Sequence, residues 1–277
     1  MSGHRIGLVG LDIDGTLLNS AGRITPRTKQ AIAAALERGC AVAAATGRPR
    51  SGLPEEFVSI PGVRWAVTAN GASLVDLDAG QVVLRHWMSR EDWFYAWDIT
   101  AGFDRVMDLF LDGSGFSGAA ALQRAEDWAP PGMADYIRAS RRAVEDVQAL
   151  ARRCPRIEKA NLFFTDPAQR QRAWRRLEES GRFEVSASNA VGIEVNAKGV
   201  DKAVGLLELG RRLGLGPENI LACGDSGNDL PMLRAVGAGV AMGNAFPEAK
   251  AAARFVTDSN DADGVAKAIE RFVLAEG

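Results

Sequence analysis

Histidine is almost absent from this 277-residue chain, which contains only His4 and His86. That scarcity leaves little room for a Ser-His-Asp triad or for a histidine-rich metal site. Cysteine is also scarce, since Cys40, Cys154 and Cys223 are odd in number, widely spaced and form no C-x-x-C pair. Neither a disulfide framework nor a zinc site is indicated, and a reducing compartment fits best. Any catalytic chemistry must therefore depend on carboxylates.

The chain also lacks an excess of one charge and any long apolar run. Its 33 Lys and Arg against 35 Asp and Glu give a formal net charge of −2, so no basic field attracts nucleic acid. No stretch reaches the roughly 18 consecutive apolar residues of a membrane span, and the first residues do not resemble a signal peptide. We therefore expect a cytoplasmic protein without a nucleic-acid or membrane partner. Its oligomeric state, monomer or homodimer, stays open.

Alternating apolar strands and helices predict an α/β fold. The first strand covers residues 5–11, a helix then runs from Pro26 to Gly39, and a second strand covers 40–45. The same order of elements returns from 201 to 274. Continuous apolar strands in this order are typical of a Rossmann-like core whose parallel sheet is covered by helices on both faces.

The middle of the chain differs from both ends. From about 85 to 189 it contains five of the six tryptophans and 16 residues of each charge. We predict a smaller α/β domain over 85–189, inserted into a core domain formed by 1–84 and 190–277. Its expected strands are 105–111, 157–164 and 183–187, and its expected helices are 89–103, 144–153 and 168–180.

Two aspartates, Asp12 and Asp14, interrupt the end of the first apolar strand. Burying two carboxylates is costly unless a cation or hydrogen-bond donors compensate. Because alternate side chains of a strand point the same way, both could serve one site. Asp12 could attack phosphorus to give an aspartyl-phosphate, and Asp14 could protonate the leaving alcohol and later deprotonate water. Taken alone, the pair is equally compatible with a capped turn.

A second acidic segment, from Gly224 to Asp229, directly follows an apolar strand over 220–223. The carboxyl ends of parallel strands meet at one edge of a sheet, where ligands bind. Mg²⁺ prefers oxygen ligands, so we expect it to be held by Asp12, Asp14 and Asp225, with a backbone carbonyl of the first loop among the ligands. Asp229 would bind or orient those ligands. The alternative is an acidic turn that begins a helix.

Two further segments suggest phosphate binding. Thr46 and Gly47 end the second strand, where a hydroxyl and free backbone N–H groups could cradle a phosphate, although a plain turn is the alternative. Lys202 begins the helix after residue 201 in a chain with 27 Arg and only six Lys, and its ammonium could neutralise a phosphate. Lys198 is the competing candidate, and a solvated surface lysine is the alternative for both.

Together these segments resemble the haloacid dehalogenase superfamily of phosphatases, and within it the Cof-like sugar phosphatases of type IIB, which carry an α/β cap domain. The family pattern D-x-D-G-T-L corresponds to residues 12–17, and the threonine motif falls on Thr46. The G-V-S-K stretch corresponds to 199–202 and G-D-x-x-N-D to 224–229.

The resemblance implies a role for each matching residue. Asp12 would be the nucleophile and Asp14 the acid/base, and Lys202 is favoured over Lys198. Asp225 would be a magnesium ligand and Asn228 a phosphate contact. Asn70 and Asn244 lie in segments that border the site in the family, although tight turns explain these two asparagines equally well.

The implied activity is Mg²⁺-dependent hydrolysis of a small phosphorylated metabolite, expected to be a sugar phosphate, through an aspartyl-phosphate. A sugar phosphomutase with the same intermediate is the alternative. A signalling receiver also uses a phosphorylated aspartate, but receivers are smaller and lack an inserted domain. A catalytically silent binding protein is disfavoured because every catalytic position has a competent side chain. In the cap, we expect Lys159 and Asn161 on one strand face and Trp93 or Trp128 against a sugar ring.

Overall fold

The computed structural model describes residues 5–275, and they form two compact units. The first unit contains the chain up to residue 47, then 53–84 and the part from 201 onward, and the second contains 48–52 and 85–200. The second unit thus extends to residue 200, whereas the sequence predicts an inserted domain that ends at 189. The reason is the strand Gly192–Ala197, which pairs within the sheet of the second unit and not within the core.

The first unit is built on one eight-stranded sheet. Numbered along the chain, its strands are β1 (Leu8–Leu11), β2 (Ala41–Ala45), β3 (Trp65–Thr68), β4 (Ser73–Asp76), β5 (Gln81–Arg85), β14 (Ile220–Gly224), β15 (Ala238–Ala241) and β16 (Phe255–Val256). Their order across the sheet is β16-β15-β14-β1-β2-β3-β4-β5. The strands from β16 to β3 run parallel, whereas β4 is antiparallel to β3.

Helices cover both faces of this sheet. They are α1 (Pro26–Glu37), α2 (Glu55–Val58), α8 (Lys202–Arg212), α9 (Leu230–Ala235), α10 (Pro247–Ala252) and α11 (Gly264–Ile269). Val9 packs with Ile32 of α1 in one buried core, whereas Leu8 packs with Leu206 of α8 in the core on the opposite face. The alternating direction of neighbouring strand residues produces this division. The predicted α/β class and parallel core sheet are confirmed.

The order of the strands positions the functional residues. Leu11 on β1 is level with Cys223 on β14 and with Ala44 on β2. The residues that follow these three adjacent parallel strands therefore meet at one edge of the sheet. The chain passes from β1 to β2 on one side, and β14 lies on the other. Ligands bind in open α/β sheets at such a reversal of strand order.

The second unit has its own sheets and helices. Its strands are β6 (Met88–Ser89), β7 (Val106–Leu111), β8 (Ser114–Gly118), β9 (Arg141–Val144), β10 (Arg156–Ile157), β11 (Lys159–Phe163), β12 (Phe183–Ser186) and β13 (Gly192–Ala197). The six-stranded order is β12-β13-β11-β7-β8-β9, and β10 pairs with β6. Its helices are α3 (Arg90–Thr100), α4 (Ala119–Gln123), α5 (Ala134–Ser140), α6 (Val147–Arg152) and α7 (Pro167–Glu179).

Two expectations for the second unit are corrected or refined. Trp93 is fully buried and stacks on Trp97 with ring centroids 5.4 Å apart, so it packs in the core and is not available to a sugar. The predicted strand over 157–164 is interrupted at Glu158, which is buried and accepts a hydrogen bond from Gly113 N–H at 2.7 Å. Burial raises the pKa of Glu158 to about 7.

Two general features complete the fold. Within residues 5–275, no helix combines the length and the apolar character needed to cross a membrane. The three cysteines are free and buried.

Candidate active site

Asp12 lies directly after β1 and is almost completely buried. Its backbone N–H donates to Cys223 O at 3.0 Å, which extends the pairing of β1 with β14 by one residue. Lys202, at the start of α8, is fully buried and donates from Nζ to Asp12 Oδ1 at 2.6 Å. The structure thus brings together two predicted site residues that are 190 positions apart in the sequence.

Asp229 holds the same lysine from the other side. Its Oδ1 accepts from Lys202 Nζ at 2.7 Å, and its Oδ2 accepts the backbone N–H groups of Asp225 and Ser226, both at 2.9 Å. Asp229 therefore fixes both the lysine and the loop after β14. These contacts support the expectation that Asp229 orients the groups around it.

Asp225 is partly buried and is held by the loop after β1. Thr16 Oγ1 donates to Asp225 Oδ1 at 3.3 Å, a contact that we did not predict although Thr16 belongs to the same motif as Asp12. Asp14 is exposed, and its carboxylate lies outside the group that Asp12, Asp225 and Asp229 form. The structure therefore does not place the Asp14 carboxylate among the predicted metal ligands.

The helix that carries Lys202 packs unusually close to the turn at Ala69–Gly71. A β-carbon on Gly71 would lie 2.0 Å from Asp201 O, and one on Gly205 would lie 2.4 Å from a side-chain carbon of Val67. Only glycine fits at these two contacts, and Gly71 also has a φ of +90°. Close packing of this kind fixes the start of α8, and therefore Lys202, in one position.

Thr46, Asn70 and Asn228 form the neighbouring part of the site, and all three are buried. Thr46 O accepts from Asn70 N–H at 2.9 Å, and Asn228 Nδ2 donates to Asn70 Oδ1 at 3.3 Å. Asn70 has a φ of +56°, a conformation that asparagine tolerates better than most residues. Gly47 follows Thr46 and is partly exposed.

The two remaining candidates lie in different places. Asn244 is exposed, but its Nδ2 donates to Gly15 O at 2.8 Å, so it supports the loop after β1. Lys198 belongs to the second unit, where its Nζ donates to Phe183 O at 3.4 Å and its side chain is 65% exposed. Lys202 therefore contacts the predicted carboxylates, whereas these contacts of Lys198 lie within the second unit.

The electrostatics of the cluster are dominated by burial and by an excess of carboxylates. Burial raises the pKa of Asp12 well above its ordinary value, an effect that Lys202 partly offsets and that Asp229 and Asp225 increase. Burial and the charge of Asp229 raise the pKa of Asp225 to about 7. For Lys202, burial favours the neutral form, but Asp12 and Asp229 outweigh it and raise the pKa above its ordinary value.

This donor set fits a hard divalent cation. Asp12, Asp225 and Asp229 each place one carboxylate oxygen within 4.8 Å of the other two. Lys202 alone leaves this group of three carboxylates with a net negative charge, which a divalent cation would neutralise. Lys202 occupies one oxygen each of Asp12 and Asp229, so Asp12 Oδ2 and the Asp225 carboxylate are the oxygens available to such an ion.

A family model described as haloacid dehalogenase-like hydrolase matches residues 9–269. The chain belongs to this family. Among haloacid dehalogenase-like proteins, it is 30% identical to the 5-amino-6-(5-phospho-D-ribitylamino)uracil phosphatase YcsE of Bacillus subtilis, over 97% of this chain and 96% of that protein. The predicted phosphatase family and enzymatic character are confirmed.

Solved structures of haloacid dehalogenase-like proteins match over nearly the whole chain. A haloacid dehalogenase-like hydrolase from B. subtilis superposes with a TM-score of 0.86 at 25% identity, covering 97% of this chain and 100% of that one. The sugar phosphatase BT4131, of subclass IIB, superposes with a TM-score of 0.78 at 24% identity, covering 96% and 98%. The second match shows a shared fold.

Proposed function

We propose that this haloacid dehalogenase-like phosphatase hydrolyses the phosphate monoester of a small hydroxylated metabolite, a sugar phosphate or a related polyol phosphate, through an aspartyl-phosphate on Asp12. One observation carries the proposal: buried Asp12 lies 2.6 Å from Lys202 Nζ at the sheet edge that also holds Thr46 and Asp225. We further propose that the second unit is the cap domain and that the protein acts in the cytoplasm.

The first step is attack on phosphorus. The Asp12 carboxylate attacks, and Lys202 Nζ, 2.6 Å from Asp12 Oδ1, stabilises its ionised form. As the new oxygen–phosphorus bond forms, the ester bond breaks and the leaving oxygen takes a proton from Asp14. Asp14 suits this role because it is exposed and lies two residues from the nucleophile.

The second step releases phosphate. Asp14, now ionised, takes a proton from a water molecule that attacks the phosphorus of the aspartyl-phosphate. The bond between phosphorus and the Asp12 carboxylate oxygen breaks, which restores the Asp12 carboxylate and frees inorganic phosphate. Thr46 and Asn228 are the side chains expected to orient the phosphoryl oxygens, with Gly47 supplying backbone N–H.

We propose Mg²⁺ as the cofactor, held by Asp12, Asp225 and the backbone carbonyl of Asp14. When bound, Mg²⁺ would neutralise the negative charge that phosphate and the carboxylates share. The buried Asp12 must be ionised to attack. Its pKa is raised in the cluster, and a bound cation would lower it.

The nucleophile test is a burst experiment with p-nitrophenyl phosphate and Mg²⁺. We expect Asp12→Asn to lower turnover by more than about a thousandfold and to release no burst of nitrophenol. Asp14→Asn should give one equivalent of nitrophenol per enzyme followed by slow turnover, because this leaving group needs no acid whereas the second step needs a base. Asp78→Asn, an exposed carboxylate of the same unit, is the control. Retained activity in Asp12→Asn would contradict the assignment.

The substrate class needs a separate test. The relative YcsE carries a phosphorylated ribityl chain in its named substrate, and BT4131 is named a sugar phosphatase, which together support a hydroxylated substrate. We expect hexose, pentose and ribityl phosphates to be hydrolysed with a higher kcat/KM than nucleotides. Conversion between sugar-phosphate isomers that exceeds phosphate release would favour the phosphomutase instead.

A further inference from the structure

A cavity of about 300 Å³ lies within the second unit, between the start of β7 and the end of β11. Arg105 and Val106 line it at the start of β7, Ala121 of α4 and Arg124 line one side, and Trp128 and Phe163 line another. None of these residues takes part in the cluster around Asp12. Its volume is at the lower end of the range for cavities that bind small molecules.

One wall of the cavity is apolar and is formed by two aromatic rings whose planes are tilted by 49°. Trp128 and Phe163 are both buried, with ring centroids 5.0 Å apart. The only polar atom of the indole is already satisfied, because Trp128 Nε1 donates to Ala121 O at 2.8 Å. This wall therefore offers stacking and apolar contact to a ligand but no further hydrogen bond.

Arg105 supplies a cation that lacks a negative partner. Its Nε donates to Thr100 Oγ1 at 2.7 Å and its Nη2 donates to Trp97 O at 2.8 Å. Among residues 5–275, Arg105 Nη1 makes no hydrogen bond and no carboxylate lies within 4 Å of this guanidinium. Burial lowers the pKa of Arg105 to about 10, with no charge offsetting it. The guanidinium also lies over the Trp97 ring, 4.4 Å from its centroid, so its partners are a hydroxyl, a carbonyl and an aromatic ring and none is an anion.

The other charged side chains that line the cavity do not pair with Arg105. Arg124 Nε donates to Asp127 Oδ2 at 2.7 Å, so those two side chains neutralise each other. Asp104 also lines the cavity but is exposed, and its charge has no effect on the pKa of Arg105. The cavity therefore combines an apolar aromatic wall with one cation that has no carboxylate partner.

We propose that this cavity binds a small aromatic carboxylate, with the carboxylate on Arg105 Nη1 and the ring against Trp128. An aromatic carboxylate can pack its ring against the apolar wall and pair its charge with Arg105. A neutral or cationic aromatic compound can pack against the wall but cannot pair with the arginine. The inference concerns the second unit alone and is independent of the reaction proposed for Asp12.

The test uses the full chain and three probes of one size: benzoate, benzyl alcohol and benzylamine. Binding is measured by calorimetric titration, with ligand-observed NMR for the weakest pairs. We expect benzoate to bind at least roughly tenfold more tightly than benzyl alcohol, since a hydrogen bond to a charged group is gained, and benzylamine to bind least. Equal affinity for the three probes, or no binding of benzoate at millimolar concentration, would overturn the proposal.

Four variants test where benzoate binds. Arg105→Gln should weaken benzoate binding by roughly tenfold to a hundredfold, whereas Arg124→Gln, the paired arginine of the same cavity, should change it less than about twofold. Ala121→Leu should fill the cavity while leaving Arg105 in place. This variant tests the proposal if Arg105→Gln does not fold. Asp12→Asn should leave benzoate binding unchanged. Wild-type affinity in Ala121→Leu would place the ligand elsewhere and end the proposal.

Discussion

Gly15 approaches Asp225 so closely that a β-carbon on Gly15 would lie 2.5 Å from Asp225 Oδ2. Gly15 also has a φ of +77°, which side chains other than glycine rarely adopt. The loop after β1 therefore packs directly against the carboxylate that follows β14. Any side chain at position 15 must push this proposed magnesium ligand aside.

The first prediction concerns that contact. Gly15→Ala should raise the Mg²⁺ concentration needed for half-maximal phosphatase activity by at least about tenfold, because the Asp225 carboxylate is displaced from its position. The measurement is the Mg²⁺ dependence of phosphate release. Gly22→Ala is a matched control, since Gly22 has a similar φ of +71° but nothing within 4 Å of its added β-carbon. An equal Mg²⁺ requirement in the two variants would show that strain alone is responsible.

The second prediction concerns the buried lysine. Lys202→Met should lower the free energy of unfolding at pH 8 by about 3–5 kcal/mol, because Asp12 and Asp229 are left buried without their cation. The loss should shrink at pH 5, because burial raises the pKa of the Asp12 carboxyl and favours its protonation there. Urea unfolding at both pH values measures it. Lys198→Met removes an exposed lysine and should change stability by less than about 0.5 kcal/mol.

The third prediction concerns Glu158 in the second unit. Its folded-state pKa of about 7 exceeds that of the unfolded chain, so its stabilising contribution is complete below about pH 4.5 and is lost as the pH rises through 7. Glu158→Gln keeps the acceptor for Gly113 N–H and removes the charge. The difference in free energy of unfolding, variant minus wild type, should therefore be up to about 3 kcal/mol larger at pH 8 than at pH 4.5. Parallel stability profiles for both proteins between these pH values would contradict the assignment.

The fourth prediction separates backbone strain from side-chain contact at Asn70. Asn70→Gly and Asn70→Ala both remove the acceptor of the Asn228 amide, so both should raise the KM for the phosphate ester by a similar factor. Only Asn70→Ala must hold a β-carbon at a φ of +56°, which should cost about 1 kcal/mol of stability relative to Asn70→Gly. Thermal unfolding and steady-state kinetics measure the two effects. Different KM values would show that backbone strain also disturbs the site.

The core and its candidate site could be predicted from the sequence because several candidate site residues directly follow an apolar strand or begin a helix. Asp12, Thr46 and Asp225 follow β1, β2 and β14, and parallel strands necessarily bring such residues to one edge. The bonds of Lys202 to two carboxylates could not be derived in this way, because they depend on the close packing of Gly71 and Gly205.

The second unit was harder to predict because its strands are short and several are partly polar. Strand β13 was assigned to the core, although its alternation of Ile193 and Val195 with Glu194 and Asn196 is typical of a strand with one buried face. The hairpin of β7 and β8 also carries a recognisable signal. Asp112 and Gly113 form its two-residue turn, with φ values of +48° and +72°.

The position of Cys223 has a consequence for the chemical resistance of the enzyme. Its backbone carbonyl accepts the N–H of Asp12, the proposed nucleophile, and its side chain is fully buried in the core. Burial raises the pKa of this thiol to about 12, and that of Cys40 to about 11. Almost no thiolate therefore exists at neutral pH, and peroxide or alkylating reagents meet no reactive sulfur there. If catalysis depends on the proposed carboxylates, the phosphatase activity should persist under oxidants that inactivate cysteine-dependent phosphatases, because the three cysteines are buried.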